Sequence, residues 1–455
     1  MIEFPEYRDS SAAPKISDLE RLMDRSLTNS QYVDGANAAR LLGTFIRSFR
    51  SVIGSAEESA TRANLVEAHD EAKLFGLMLS AGFDLICNAE YVHGRLVNNK
   101  WIYCHRGGEP AVAYYSFLKQ CPRCCLDRGL EGRLSGAQHK PTSHHIGEIT
   151  TVAIALLLQL VAAANENPFE IATITKQSHD VDAIGFRDDL LVLFEIKASP
   201  MVSFPLVTEL EEPMLQEGPD GPVEYRQHSL VDLTLQGREF AVAIPHAETA
   251  IPLGEREGES WPYEPLIDYF SVPANAASYL QAWIELYAAY RTPKTQRAGR
   301  TAALAYLVNG WGDEIDSNKT KPGLGRTDDV KKGTYQLLKF GSYYRDDAAS
   351  VPVRGALVAN LDPLFLRPGY IDGLSDVRWG HGRDFTLEEG EYRIAEGSLR
   401  HLYDAILAFN DPLLNDPLLQ EIFDLGAVER KLANGDLEAL LDKWIARPEI
   451  VLDPS

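Results

Sequence analysis

The sequence predicts a mixed α/β (α+β) protein, and three observations carry that expectation. Ile149, Val152, Ala153, Leu156, Leu160 and Ala163 recur at helical spacing in a long apolar segment. Three short runs rich in β-branched and aromatic residues follow it directly, at about 170–176, 180–187 and 190–197. Much later a second helical pattern at about 328–345 leads into the strand GALVANL at 355–361. The chain has 455 residues, roughly three times the ~150 of one domain, so two or three domains are expected. Hydrophobic residues make up 45% and charged residues 24%, which excludes wholesale disorder and fibrous repeats.

Taken in order, residues 1–95 read as a helical N-terminal region, with apolar spacing at Leu41, Leu42, Phe45, Ile46 and Phe49 and again at Leu74, Leu77 and Met78. Residues 96–145 form short strands and loops dense in Cys, His, Gly and Arg. The helix from about Ile146 to Ala164 is stopped by the Asn165–Pro168 stretch. It opens a core expected over 146–365. Within that core, about 200–327 reads as an irregular, partly stranded insertion whose best strand is FAVAIPH at 240–246, with a helical stretch at 274–310 and a polar loop at 311–327. Residues 366–455 read as a helical C-terminal region.

The longest apolar stretch, Thr150 to Ala164, is shorter than the ~20 residues of a bilayer span and holds Gln159, so no membrane segment is expected. The opening MIEFPEYRDS lacks the basic-then-apolar order of a signal peptide. The expectation is therefore a soluble, cytoplasmic protein. Net charge is -22, but it is unevenly placed. Residues 201–290 carry 15 acidic and 3 basic residues, whereas 95–140 carry 8 basic and 3 acidic, and 291–345 carry 11 basic and 5 acidic. The two basic stretches can meet a phosphate backbone while the acidic block repels it.

The segment SHDVDAIGFRDDLLVLFEIKAS concentrates the chemistry. With Asp188-Asp189 as a two-residue hairpin turn, Arg187 pairs with Leu190 and every cross-strand pair sums to 377. Asp182 then lies opposite Glu195, and Asp180 opposite Lys197. Alternation puts all four on one face. Directly opposed Cβ atoms are ~5 Å apart, and two carboxylates that close repel unless a cation lies between them. Hard oxygen donors suit Mg²⁺. A solvated sheet edge would explain the charges less well, because Val181, Ile184, Leu191, Leu193 and Ile196 surround them with apolar side chains.

Asp182 followed thirteen residues later by Glu195-Ile196-Lys197 resembles the signature of the PD-(D/E)XK nucleases, the restriction-endonuclease-like superfamily. The resemblance implies a mixed sheet flanked by helices, in the order helix, strand hairpin, third strand, helix, strand. It implies that Asp182 and Glu195 bind Mg²⁺ and that Lys197 orients or activates the attacking water. Glu148, at the start of the preceding helix, fits the place of an acidic residue that often joins them. Gln336, four residues before Phe340 on the later helix, is similar to the Gln-x-x-x-Tyr element of one branch, with Phe in place of Tyr. The resemblance covers about 144–200 and 328–361, and the acidic stretch between them departs from the family's pattern.

Cys104, Cys121, Cys124 and Cys125 fall within 22 residues, and only Cys87 stands apart. Such clustering points to metal rather than to a disulfide framework. Cys121-Pro-Arg-Cys124 is a CxxC knuckle, and with Cys104 and His139 it gives a Cys₃His zinc site of plausible spacing. Cys125 or His105 could substitute as a ligand, and buried or redox-active thiols are the competing explanation. Four protein ligands would make the zinc structural. Arg123 and Arg128 beside the knuckle, and Lys331, Lys332 and Gln336 on the later helix, are the candidate DNA contacts.

Together these features lead to an expected function: a Mg²⁺-dependent, sequence-specific endonuclease of the restriction type, acting on double-stranded DNA as a homodimer. A non-catalytic, zinc-stabilised DNA-binding protein on a nuclease-like fold, or a repair or RNA-directed nuclease, are the alternatives. The P-loop pattern GxxxxGK[ST] does not occur in the sequence.

Overall fold

Helical periodicity and strand alternation are both realised in the structure, a computed structural model. It describes residues 35–54, 71–93, 100–104, 111–115, 121, 123–124, 126, 143–167, 169–173, 181–187, 189–212, 214–224, 229–247, 249–308, 321–344 and 352–426. In chain order come α1 (Gly35–Gly54), α2 (Glu71–His93), β1 (Lys100–Cys104), β2 (Ala111–Tyr115), α3 (Ser143–Ala164), β3 (Glu170–Thr173), β4 (Ala183–Arg187), β5 (Leu190–Ile196) and β6 (Leu206–Leu210). Then follow β7 (Leu215–Gly218), β8 (Gly221–Glu224), β9 (Ser229–Asp232), β10 (Glu239–Ile244), β11 (Thr249–Glu255), α4 (Tyr263–Phe270), α5 (Pro273–Arg291), α6 (Gly299–Val308) and α7 (Thr327–Tyr344). The last are β12 (Val353–Ala359), α8 (Arg367–Tyr370), β13 (Arg378–Trp379), β14 (Phe385–Glu388), β15 (Glu391–Ile394), β16 (Arg400–His401), β17 (Ala405–Ala408), β18 (Leu413–Leu414) and α9 (Pro417–Phe423).

The chain divides into two compact units rather than the four expected regions. One takes in 36–150 and 199–322, the other 151–198 and the residues from 323 onward. The expected N-terminal region from residue 36 on, the cysteine-rich region and the expected insertion up to residue 322 therefore share one unit. The reason is strand pairing: β1 and β2 pair with each other, β1 with β9 and β2 with β6, in a six-stranded sheet of order β11-β10-β6-β2-β1-β9. The stretch after 200 is thus no free-standing insertion, since its strands complete the sheet that β1 and β2 begin. In the same unit α2 is apolar nearly all round and buried, as a core helix must be. Asp84, one of its two buried carboxylates with Glu90, accepts from the backbone N–H of Met201 and Val202 and from Trp283 Nε1 at 2.8–3.0 Å. Burial pushes the pKa of Asp84 up to about 7 against the pull of those three donors. This residue pins the chain just after β5 and has no catalytic partner among the described residues.

The other unit carries a mixed sheet of order β18-β17-β12-β5-β4-β3. β3, β4 and β5 are antiparallel neighbours, while β5, β12 and β17 run parallel. One sheet face packs Ile184, Leu191, Leu193, Val353 and Leu357 against Val330, Leu337 and Phe340 of α7. Gly333 of α7 lies so close that an added Cβ would stand 2.6 Å from the Leu357 side chain. The opposite face stacks Phe169, Phe194 and Phe423 edge to face. Gly185 fits beneath that cluster, where a Cβ would stand 2.1 Å from a Phe169 ring carbon and 2.7 Å from one of Phe194. Gly185→Ala should therefore cost about 1–3 kcal/mol by overpacking, read as a lower urea midpoint at unchanged slope. An unchanged midpoint would show that the aromatic cluster yields freely.

The expected helical C-terminal region is corrected by the structure. Up to residue 426 it consists mostly of short strands and single turns, β13 to β18, with helix only at α8 and α9. Ala405-Ile406-Leu407-Ala408 is the deciding segment: four fully buried residues form a parallel strand beside β12. A short apolar run does not distinguish strand from helix by periodicity, and here its length decides for strand. Residues 427–455 of the expected helical region lie outside the described residues. The membrane expectation also needs adjustment. Over Ile146–Ala164, α3 is long and apolar enough to cross a bilayer, but 72% of its most apolar window is buried inside the protein, as in a core helix.

Candidate active site

The hairpin forms in the expected register: Arg187 pairs with Leu190, Phe186 with Leu191, Ile184 with Leu193 and Ala183 with Phe194. The regular ladder ends at Ala183. Asp182 comes next, its N–H donating to Phe194 O at 3.1 Å, and its Oδ2 accepts from the backbone N–H of Ile196 at 2.7 Å. That bond clamps the carboxylate against the end of β5. Glu195 shares strand parity with Leu191 and Leu193, so it emerges on the face that α7 covers. It is 4% exposed.

Lys197 joins the two acids. Its Nζ contacts Glu195 Oε1 and lies 3.8 Å from Asp182 Oδ2. Burial alone would push its pKa down, but the carboxylates of Glu195 and Asp182 outweigh it and the net shift is upward. Lys197 is therefore an ammonium at neutral pH. Its backbone N–H donates to Val358 O at 2.9 Å, so the cluster sits at the carboxyl ends of the parallel strands β5 and β12, where ligands bind in open α/β sheets. Asp180 lies outside the described residues. Glu148 is half-buried in the second turn of α3, on the stretch counted with the other unit.

The first turn of α7 adds two groups that the sequence reading did not select. Asp329 is mostly buried, and its pKa is raised by that burial against the opposing pull of Arg326 and Lys197. Arg326 Nε lies 3.5 Å from Asp329 and Arg326 Nη2 3.9 Å from Asp328. Acidic residues in a first helical turn are ordinary dipole partners, which is why Asp328-Asp329 carries no chemical signal in the sequence. The expected DNA contacts on the same helix are described too. Lys331 Nζ stands 5.7 Å from the Tyr370 ring centroid, and Lys332 pairs with Asp328 at 2.7 Å. Gln336 has its Oε1 buried without a hydrogen-bond partner among the described residues.

In the other unit Cys104, Cys121 and Cys124 come together, their sulfurs all within 4.8 Å of one another and all three residues buried. Cys104 Sγ and Cys124 Sγ are 3.6 Å apart. Two thiolates on one tetrahedral zinc stand ~3.8 Å apart, given Zn–S bonds of about 2.3 Å. The neighbouring thiols Cys104 and Cys124, and then burial, push the Cys121 pKa well up, so the cluster holds its protons until a cation replaces them. This group can bind a metal such as zinc. His139, His105 and Cys125, the candidates for a fourth ligand, lie outside the described residues, as does Arg128. Arg123 is half-buried with its guanidinium 6.0 Å from the Tyr114 ring centroid.

Comparison of the chain with family models, with curated proteins and with solved structures returned no match.

Proposed function

We propose that this protein is a Mg²⁺-dependent endonuclease of the PD-(D/E)XK type, acting on double-stranded DNA in the cytoplasm as a homodimer. The observation that carries the reading is one ammonium held between two carboxylates, Lys197 with Glu195 and Asp182, at the carboxyl end of a mixed sheet. The order α3, β3, β4, β5, α7, β12 supports it, because it follows the helix, hairpin, third strand, helix, strand order that the resemblance implies.

The donor set fits a divalent cation. Two hard carboxylates already share one cation, Asp182 is 37% exposed, and Asp182 keeps its orientation through the Ile196 N–H whatever lies in front of it. Asp182 and Glu195 would hold the ion, which when bound lowers the pKa of water and balances charge building on the phosphate. Lys197, cationic and short of proton-accepting capacity, orients the attacking water and faces the phosphate rather than serving as a general base. The apolar wall of Leu193, Leu357 and Val330 on the same face keeps bulk water from the buried side of the site.

The cysteine cluster completes the proposal as a structural zinc site, with His139 as its fourth ligand, stiffening a loop that presents Arg123 and Arg128 to the DNA backbone. Lys331, Lys332 and Gln336 would meet DNA from α7. Incubating supercoiled plasmid with the protein and Mg²⁺ tests the reading. Discrete fragments are the expected result. A smear would favour a repair-type nuclease, and intact plasmid that is nonetheless bound would mark a non-catalytic DNA-binding protein.

A further inference from the structure

A short turn delivers Arg326 to the site. Pro322, Gly323, Leu324 and Gly325 are all buried, an unusual condition for a turn so rich in glycine. Gly323 takes φ +54, where a Cβ would stand 2.6 Å from Leu361 O, so only glycine lets the backbone approach β12's end this closely. Leu324 N–H donates to that same carbonyl at 3.4 Å. Arg326 O then accepts from Val330 N at 3.2 Å and opens α7. The position of Arg326 is thus set by packed backbone on both sides.

Its guanidinium is nevertheless short of partners. It is 32% exposed and makes two loose ion pairs, at 3.5 and 3.9 Å, with no hydrogen bond among the described residues. A half-buried fork of five N–H donors held by only two loose ion pairs among the described residues suits an oxyanion that two of them can grip together. The charge balance points the same way. Asp182, Glu195, Asp328 and Asp329 set four carboxylates against three cations, Lys197, Arg326 and Lys332. One divalent ion would turn that single negative excess into a single positive one, which one phosphodiester neutralises.

We propose that Arg326 grips a non-bridging oxygen of the DNA phosphodiester beside Lys197, and that Asp329 is the positioning residue that holds the two cations in place. This rests on the nuclease reading for its substrate. Asp329 acts through Arg326 and Lys197 and touches no substrate atom. A lysine in place of Arg326 keeps the charge but loses the fork.

The test compares wild type, Arg326→Ala, Arg326→Lys, Asp329→Asn and Asp329→Glu, each checked for wild-type thermal melting. Two readouts are taken: binding of a DNA duplex across a salt series in Ca²⁺, and steady-state cleavage in Mg²⁺. Arg326→Ala should lower kcat/KM about 100-fold and reduce the salt slope of binding by roughly one. Arg326→Lys should restore the slope but not the rate. Asp329→Asn should lower kcat with KM within about twofold, and Asp329→Glu should recover part of it. If Arg326→Ala cleaves at the wild-type rate with an unchanged slope, the phosphate assignment fails while the nuclease reading stands. If wild type binds without cleaving, the nuclease reading fails, and an unchanged slope in Arg326→Ala then overturns this assignment separately. Wild type that neither binds nor cleaves overturns both. Should Arg326→Ala melt early, Arg326→Lys decides, since a wild-type rate in that variant removes the need for the fork.

Discussion

Asp182→Ala and Glu195→Ala are each expected to lower Mg²⁺-dependent cleavage by at least about 1,000-fold, or roughly 4 kcal/mol of transition-state stabilisation, while DNA binding persists. The two losses differ in mechanism. Without Asp182, the Ile196 N–H loses its acceptor at 2.7 Å and the exposed side of the metal site disappears. Without Glu195, Lys197 loses its close ion-pair partner and is left half-buried with the more distant carboxylates of Asp182 and Asp329. That second change also carries a folding cost, because it strands a buried cation. Glu195→Gln is the cleaner probe, since it removes the charge and keeps the shape. Cleavage rates on a plasmid in Mg²⁺ and Mn²⁺, set beside gel-shift affinity in Ca²⁺, separate chemistry from binding. Wild-type cleavage in either alanine variant would remove these carboxylates from the mechanism. A parallel loss of binding and cleavage would assign them to DNA contact instead.

Much of this site is legible in the sequence because strand register is arithmetic. Once Asp188-Asp189 is taken as the turn, the pairing of Arg187 with Leu190 fixes the partner of every residue in β4 and the face each side chain takes. The ladder gives way only at Asp182, whose side chain bonds along the strand end rather than standing strictly across from Glu195. Local pattern also finds α3 and α7, because their apolar spacing is long and regular. It does not find what depends on distant packing. β1 and β2 look like a separate cysteine-rich module until β6 and β9, about a hundred residues away, complete their sheet. Ala405–Ala408 reads as helix because nothing local says that β12 will lie beside it. Arg326 and Asp329 are hidden for a third reason. Their significance lies in where a buried turn places them, and no spacing rule encodes that.

The cysteine cluster carries the second large effect. Purified protein is expected to hold about one zinc per chain, and Cys121→Ser should lose that zinc together with on the order of 4 kcal/mol or more of stability. The size follows from position. Cys104 ends β1, an interior strand between β2 and the edge strand β9, while Cys121 and Cys124 belong to the segment after β2. One ion bound by all three therefore ties an interior strand to the segment after β2, and its binding free energy becomes folding free energy. Removing one sulfur leaves two thiols in a buried pocket with an incomplete ligand set. Cys87→Ser is the control, because Cys87 is buried but stands apart from the cluster and should leave the zinc content unchanged. Elemental analysis of each variant, with thermal melting before and after prolonged chelation, reads the two effects independently. A wild-type chain that is free of metal and melts cooperatively at a temperature no chelator changes would make these three cysteines an apolar cluster of the kind that Ile102, Val112 and Val207 already form around them.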